Sequence, residues 1–264
     1  MRGKLSAVWQ FRQFILSSIV NDIRIKFARS RLGGVWMILH PLAQVLMYAV
    51  VLSSILSSKL PAVSAKYSYP LYLTAGIVAW SLFSELVTKC LEIFIVNASL
   101  LKKMVFPRLC LPLIAAGSAV VNNLLLLLIV IIIFGLVGHL PTSQILWLPL
   151  LIFITVALGL GLGLILGVMN VFVRDIGQVV PILLQFGFWF TPIVYMVTII
   201  PERFRNLIEL NPMYHIVAGY QDVLVFQKQP DFLGLVYVFV ISLVLLGLAY
   251  HMFRMASSEL VDEL

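Results

Sequence analysis

Apolar residues in this chain gather in long, unbroken runs, without the period-2 alternation of a half-exposed strand. Six runs are long enough to cross about 30 Å of hydrocarbon as helices of about 20 residues. They are Val35–Ser57, Pro70–Thr88, Leu109–Val137, Ile145–Phe172, Val179–Ile199 and Phe232–Phe253. In lipid every backbone polar group must be satisfied within its own segment, so each run predicts a helix. A β-barrel would alternate apolar and polar positions, and Leu124–Phe134 does not. The expected fold is an all-α membrane protein with six transmembrane helices in a single domain, residues 1–264. Within it, 1–34 precede the first span, 35–199 hold spans one to five, 200–231 connect to span six at 232–254, and 255–264 form a tail.

The segments between the runs carry their own periodicity. Leu5–Phe27 reads as an amphipathic helix with Leu5, Trp9, Leu16, Val20, Ile23 and Phe27 on one face. Gln10, Gln13, Ser17, Asn21 and Arg24 lie on the other, and Arg12 interrupts the apolar stripe. A basic amphipathic helix of this kind lies in the membrane interface. Gly33-Gly34 then breaks it. Asn97–Pro107 is too polar to span and too apolar for a free loop, so it reads as a short amphipathic helix stopped by Pro107. Its Leu100, Leu101 and Phe106 suit docking on another protein, or lying on the membrane surface. In Pro201–Pro230 two more short helices are expected. Phe204, Leu207 and Ile208 share one face, and Ile216, Val217, Tyr220, Val223 and Leu224 share another. Asn211-Pro212 is a helix start, with Asn as the cap and Pro at the first position.

Within the spans three patterns stand out. Thr155, Gly159, Gly163 and Gly167 recur every four residues in span four, a stripe that lets two helices approach closely, within the chain or between copies. Span five concentrates aromatics, with Phe186, Trp189 and Phe190 on one face and Thr191-Pro192 inside it. Glu85, Lys89 and Glu92 sit at i, i+4 and i+7, so they can pair along one face of a helix.

Composition agrees with a membrane protein: 62% of residues are hydrophobic and only 11% charged, against roughly half and a quarter in soluble domains. The net charge of +7 does not mark nucleic-acid binding, because the cations follow topology. Arg2, Lys4, Arg12, Arg24, Lys26, Arg29 and Arg31 precede span one. Lys89, Lys102, Lys103 and Arg108 lie around the segment after span two, Arg174 follows span four and Arg254 follows span six. The alternate loops hold only Lys59, Lys66, Arg203, Arg205 and Lys228, which puts both termini in the cytoplasm. No cleavable leader is expected in the first 30 residues.

Catalytic and ion-coupling chemistry is missing. The chain has no P-loop sequence, no HExxH and no GxSxG. His40, His139, His215 and His251 are scattered, so no metal site is expected. Cys90 and Cys110 show no metal-binding spacing. No carboxylate falls at the centre of a run, as proton-coupled transport would require.

Several blocks in order give a resemblance: Ser30–Trp36 with His40-Pro41-Leu42, Tyr69–Gly76 with Trp80–Phe83, Asn97–Lys103 with Phe106-Pro107-Arg108, Arg174-Asp175-Ile176, Thr191–Tyr195 and Leu210-Asn211-Pro212. In these the chain resembles the membrane subunits of type-2 ABC exporters, in the polysaccharide branch that includes O-antigen export permeases. The resemblance implies an inner-membrane homodimer paired with two copies of a separate ATP-binding subunit, which would bind ATP and Mg. This chain would have no cofactor or ATPase activity of its own. The implied cargo is a glycan on an undecaprenyl diphosphate carrier, with capsule or teichoic acid as alternatives. Asn97, Leu100, Leu101, Lys102, Lys103 and Phe106 would form the ATPase-coupling helix, and the two helices of 200–231 would be periplasmic gate helices. Arg24, Lys26, Arg29 and Arg31 are candidates for the carrier diphosphate, since Arg offers a planar donor fork, although such cations also fix topology and bind anionic lipid. Phe186, Trp189, Phe190, Trp36, Tyr72, Trp80 and Phe83 are candidate channel residues, because sugar C–H faces stack on aromatic rings. Packing between helices is their alternative role.

Overall fold

A computed structural model describes residues 9–28, 35, 39, 43, 68–103, 109–139 and 142–256. These residues form helices and contain no strand. The helices are α1 (Arg12–Ala28), α2 (Ser68–Val96), α3 (Ala98–Lys103), α4 (Cys110–Leu136), α5 (Leu148–Phe172), α6 (Ile176–Phe190), α7 (Glu202–Glu209), α8 (Pro212–Gln221) and α9 (Phe232–Ala256). A 3-10 turn at Ser143–Trp147 leads into α5, and a π turn at Asp222–Phe226 extends α8.

Four helical stretches are long and apolar enough to cross a membrane: Tyr69–Val96, Cys110–Leu136, Ser143–Phe172 and Phe232–Ala256. They correspond to expected spans two, three, four and six. Expected span one, Val35–Ser57, falls almost wholly outside the described residues. Expected span five is not one helix over Val179–Ile199: α6 stops at Phe190 after 15 residues, and irregular backbone follows. Span two is longer than its apolar run, because α2 continues through Lys89 and Glu92 to Val96. At 1.5 Å per residue it measures roughly 43 Å, more than the hydrocarbon needs, so its last turns reach the headgroups or beyond.

The centre of the fold is the pair α2 and α5. α4 lies against α2, α9 against α5, and α8 is wedged among α2, α5 and α9. Glycine makes the central pair possible. A Cβ on Gly159 would stand 3.0 Å from the Leu86 Cβ, and one on Gly163 would stand 2.7 Å from the Cys90 Cβ. A Cβ on Gly167 would collide with the Cys90 carbonyl oxygen. The four-residue stripe therefore seats α5 on α2 of the same chain. Gly161, on another face, does the same for α9, where a Cβ would meet Leu245 Cβ at 2.8 Å.

α1 lies against α4. Its Ile19 fills the space over Gly117, while Trp9, Leu16 and Val20 are exposed. Trp9, Leu16 and Val20 of the expected apolar stripe thus point away from the bundle, and Ile19 on a neighbouring face makes the protein contact.

Gly163→Ala should destabilise the protein by about 1–3 kcal/mol through overpacking, read as a lower melting temperature in detergent. Gly247 has nothing within 4 Å of its Cβ position, so Gly247→Ala should be neutral or stabilising. Equal effects of the two would contradict the close α2–α5 contact.

Candidate functional site

The end of α6 is where the backbone becomes irregular. Pro192 has no N–H to continue a helix, and a residue before proline is driven out of the helical region. Thr191 is accordingly extended, at φ −92° and ψ 134°. Residues Thr191, Ile193 and Val194 are nevertheless buried, so carbonyls freed along this stretch need partners from the protein. The Tyr69 hydroxyl donates to Val194 O at 2.9 Å. The Tyr72 hydroxyl lies 3.2 Å from Pro192 O and 3.3 Å from Tyr195 O and donates to this pair. Gln221 Nε2 donates to Pro192 O at 3.4 Å, and the Tyr195 hydroxyl donates to Trp189 O at 2.9 Å. Asn211 closes the arrangement. Its Oδ1 accepts from Met213 N at 3.0 Å as the cap of α8, and its Nδ2 donates to Thr191 Oγ1 at 3.0 Å.

This clamp divides the candidate channel aromatics. Tyr72 and Phe83 are each 5% exposed and belong to the core, whereas Phe186, Trp189 and Phe190 are 59%, 48% and 71% exposed on α6. Trp80 is half-buried between them, 5.6 Å from the Phe83 ring and 5.9 Å from the Phe188 ring. Trp36 lies outside the described residues.

The second concentration of polar groups sits at the α3 end of the bundle. Lys89 Nζ is 3.3 Å from Glu85 Oε1 and 3.4 Å from Asp22 Oδ2, and it donates to the Ser118 hydroxyl. Asn122 Nδ2 donates to Glu85 Oε1 at 2.6 Å. Beside it a cleft of about 350 Å³ is lined by Phe14, Asp22, Lys89, Glu92, Asn97 and Leu100, among others. Leu100 is half-buried and turned into this cleft, so α3 presents Ser99 and Lys102 outward. Leu101 and Lys103 are placed on α3 by their backbone, and Phe106 lies outside the described residues. Arg24 is exposed on α1, Lys26 is on the same helix, and Arg29 and Arg31 lie outside the described residues.

At the opposite end, α7 exposes Phe204 and Leu207, while α8 buries Met213, Ile216, Val217 and Tyr220. Val223 and Leu224 of the π turn are buried as well. Burial pushes the Asp222 carboxyl up to about 6, with Lys228 opposing the shift and Asp231 adding to it. Among the described residues no group of His, Cys, Asp and Glu can hold a metal ion.

The ABC-2 type transporter profile matches residues 15–225 of this chain. The chain belongs to that family. It is 27% identical over 211 residues to the O-antigen export system permease protein RfbA of Klebsiella pneumoniae, covering 79% of each chain. To the RfbA protein of Myxococcus xanthus it is 27% identical over 259 residues, 97% of each. To the polysialic acid transport protein KpsM of Escherichia coli it is 23% identical over 236 residues, 89% of this chain and 90% of that one.

For this ABC-2 type chain, the sequence motifs include Tyr69 without a role and leave out Gln221, Asp22 and the Asn122-Asn123 pair. The pair carried a signal: two amides inside an otherwise apolar run. Asn123 Nδ2 donates across to Val78 O at 2.9 Å.

Tyr72→Phe removes the donor of Tyr195 O and leaves Pro192 O only the 3.4 Å contact from Gln221, and should cost about 1–3 kcal/mol of stability. Phe190→Leu, on the exposed face of α6, should stay within about 0.5 kcal/mol of wild type. Thermal unfolding in detergent reads both. A neutral Tyr72→Phe would contradict the clamp.

Proposed function

We propose that this chain is the membrane-spanning subunit of an ATP-driven exporter for a lipid-linked polysaccharide. The observation that carries the reading is family membership over most of the chain, joined to relatives of matching length named for glycan export. In this reading expected span one, together with α6 and the irregular segment that follows it, completes a six-span domain over residues 1–264, the termini are cytoplasmic, and two copies assemble with two ATP-binding subunits that hold ATP and Mg. The chain itself hydrolyses nothing. The cargo is an O-antigen polysaccharide on undecaprenyl diphosphate, moved from cytoplasm to periplasm. The polysialic acid relative keeps capsular polymer as a second cargo.

Each element then has a task. α3 meets the ATP-binding subunit, and its exposed Lys102 makes the polar contact there. The cations Arg24, Lys26, Arg29 and Arg31 receive the carrier's diphosphate at headgroup depth, through charge-assisted hydrogen bonds. Phe186, Trp189 and Phe190, together with Trp36, offer rings along which a glycan slides by weak, repeated stacking. α7 and α8 form the outer gate. The exposure of the α6 aromatics supports this assignment, and the burial of Tyr72 and Phe83 makes them supports of the wall instead of its surface.

Co-expressed with its ATP-binding subunit, the chain should restore surface polysaccharide in a strain lacking its own permease, and purified alone it should hydrolyse no ATP. Changing Phe186 and Phe190 to Ala should reduce surface polysaccharide at unchanged protein level. Full export by that double variant would remove these rings from the pathway.

A further inference from the structure

The Lys89 ammonium has three donor hydrogens, and the fold supplies three acceptors from three different helices. Asp22 Oδ2 comes from α1 at 3.4 Å, Glu85 Oε1 from α2 at 3.3 Å, and the Ser118 hydroxyl from α4. These acceptors are not equivalent. Glu85 is on the same helix as Lys89 and is held by Asn122 Nδ2 at 2.6 Å. Ser118 is buried on α4. Asp22 has a side chain 48% exposed, and it belongs to a helix whose other seat is Ile19 over Gly117. Removing the last partner of a buried charge is severe, but losing one exposed partner of several is mild. When α1 lifts, Lys89 keeps Glu85 and Ser118, and Asp22 passes into water. The contact is thus built to release without stranding a charge.

The same lysine lines a cleft together with Leu100 of α3. Asn97 Nδ2 donates to Ile93 O at 2.8 Å, tying the α2–α3 junction to the last turns of α2. Leu100 of α3 and Phe14 and Asp22 of α1 line one cleft, so a shift of α3 changes the space into which α1 is seated. We propose that Lys89 is a positioning residue for export: it registers α1 against the α2–α3 unit and releases Asp22 when α3 moves. This rests on the reading of α3 as the ATPase-coupling helix.

The test uses the complete complex with its ATP-binding subunit in proteoliposomes. Docking of α1 is read by disulfide formation between Ile19→Cys and Gly117→Cys, with and without ATP and vanadate. Coupling is read as polysaccharide exported per ATP hydrolysed. The expected result is a cross-link yield that depends on nucleotide. Asp22→Asn should reduce both the cross-link and the export per ATP by about two- to fivefold, the scale of a partly exposed ion pair, at unchanged protein level. Asp22→Glu should restore both. Lys89→Met is expected to act like Asp22→Asn or more severely; because it also strips Glu85 of its cation, the Asp22 variants decide if it fails to fold. A nucleotide-independent cross-link, or wild-type export per ATP in Asp22→Asn, overturns the proposal. Lys102→Glu separates the two readings. If it leaves export per ATP unchanged while Asp22→Asn lowers it, the α3 assignment and the release driven by α3 fall together, and only the seating of α1 by Lys89 stands. If Lys102→Glu lowers it and Asp22→Asn does not, the role of Lys89 falls alone.

Discussion

A backbone carbonyl buried at membrane depth has no water to turn to, and that constraint governs the end of α6. Thr191-Pro192 breaks the helix, and the freed carbonyls of Pro192, Val194 and Tyr195 are met by Tyr69 and Tyr72 from α2. Irregular backbone in a membrane protein is tolerated where protein covers it, and here the cover is α2 and α8. The requirement propagates. α2 must be fixed for its tyrosines to reach, and Gly159, Gly163 and Gly167 fix it by bringing α5 against it. α8 must be fixed for Gln221 to reach, and the Asn211 cap joins its first turn to Thr191.

The break also gives α6 its face. A continuous helix through Ile199 would carry its aromatics across the whole bilayer. Stopping at Phe190 places Phe186, Trp189 and Phe190 in the last turns of α6, just before the buried turn. The other polar centre, around Lys89, lies toward the opposite end of α2. α2 therefore supports both centres, through hydroxyl groups at one end and charges toward the other.

Much of this was legible in the chain because it is local. The runs of spans two, three, four and six are helices, Asn211-Pro212 starts α8, and the apolar positions from Ile216 to Leu224 are buried. The glycine stripe announced a close contact, but no local pattern names the helix that fills it. Span five was misread for a similar reason. Its apolar run continues past Pro192, and the donors that make a break affordable lie more than a hundred residues away at Tyr69 and Tyr72. For α1 the contact to the bundle was not legible either. Leu16 and Val20 sit on the apolar stripe, yet Ile19 makes the contact, because a small residue at Gly117 gives it a seat. Leu100 turns inward because the cleft beside Phe14 receives it. In each case the decisive partner is distant in sequence.

Single-cysteine accessibility along residues 176–200, probed with a membrane-impermeant thiol reagent and with a lipid-soluble one, tests the break directly. Exposed positions on α6 such as Leu183, Phe186 and Phe190 should react with at least one reagent in a helical rhythm. Thr191, Ile193 and Val194 should then form a protected stretch with no 3.6-residue period. A helical rhythm continuing unbroken from Val179 to Ile199 would contradict the account.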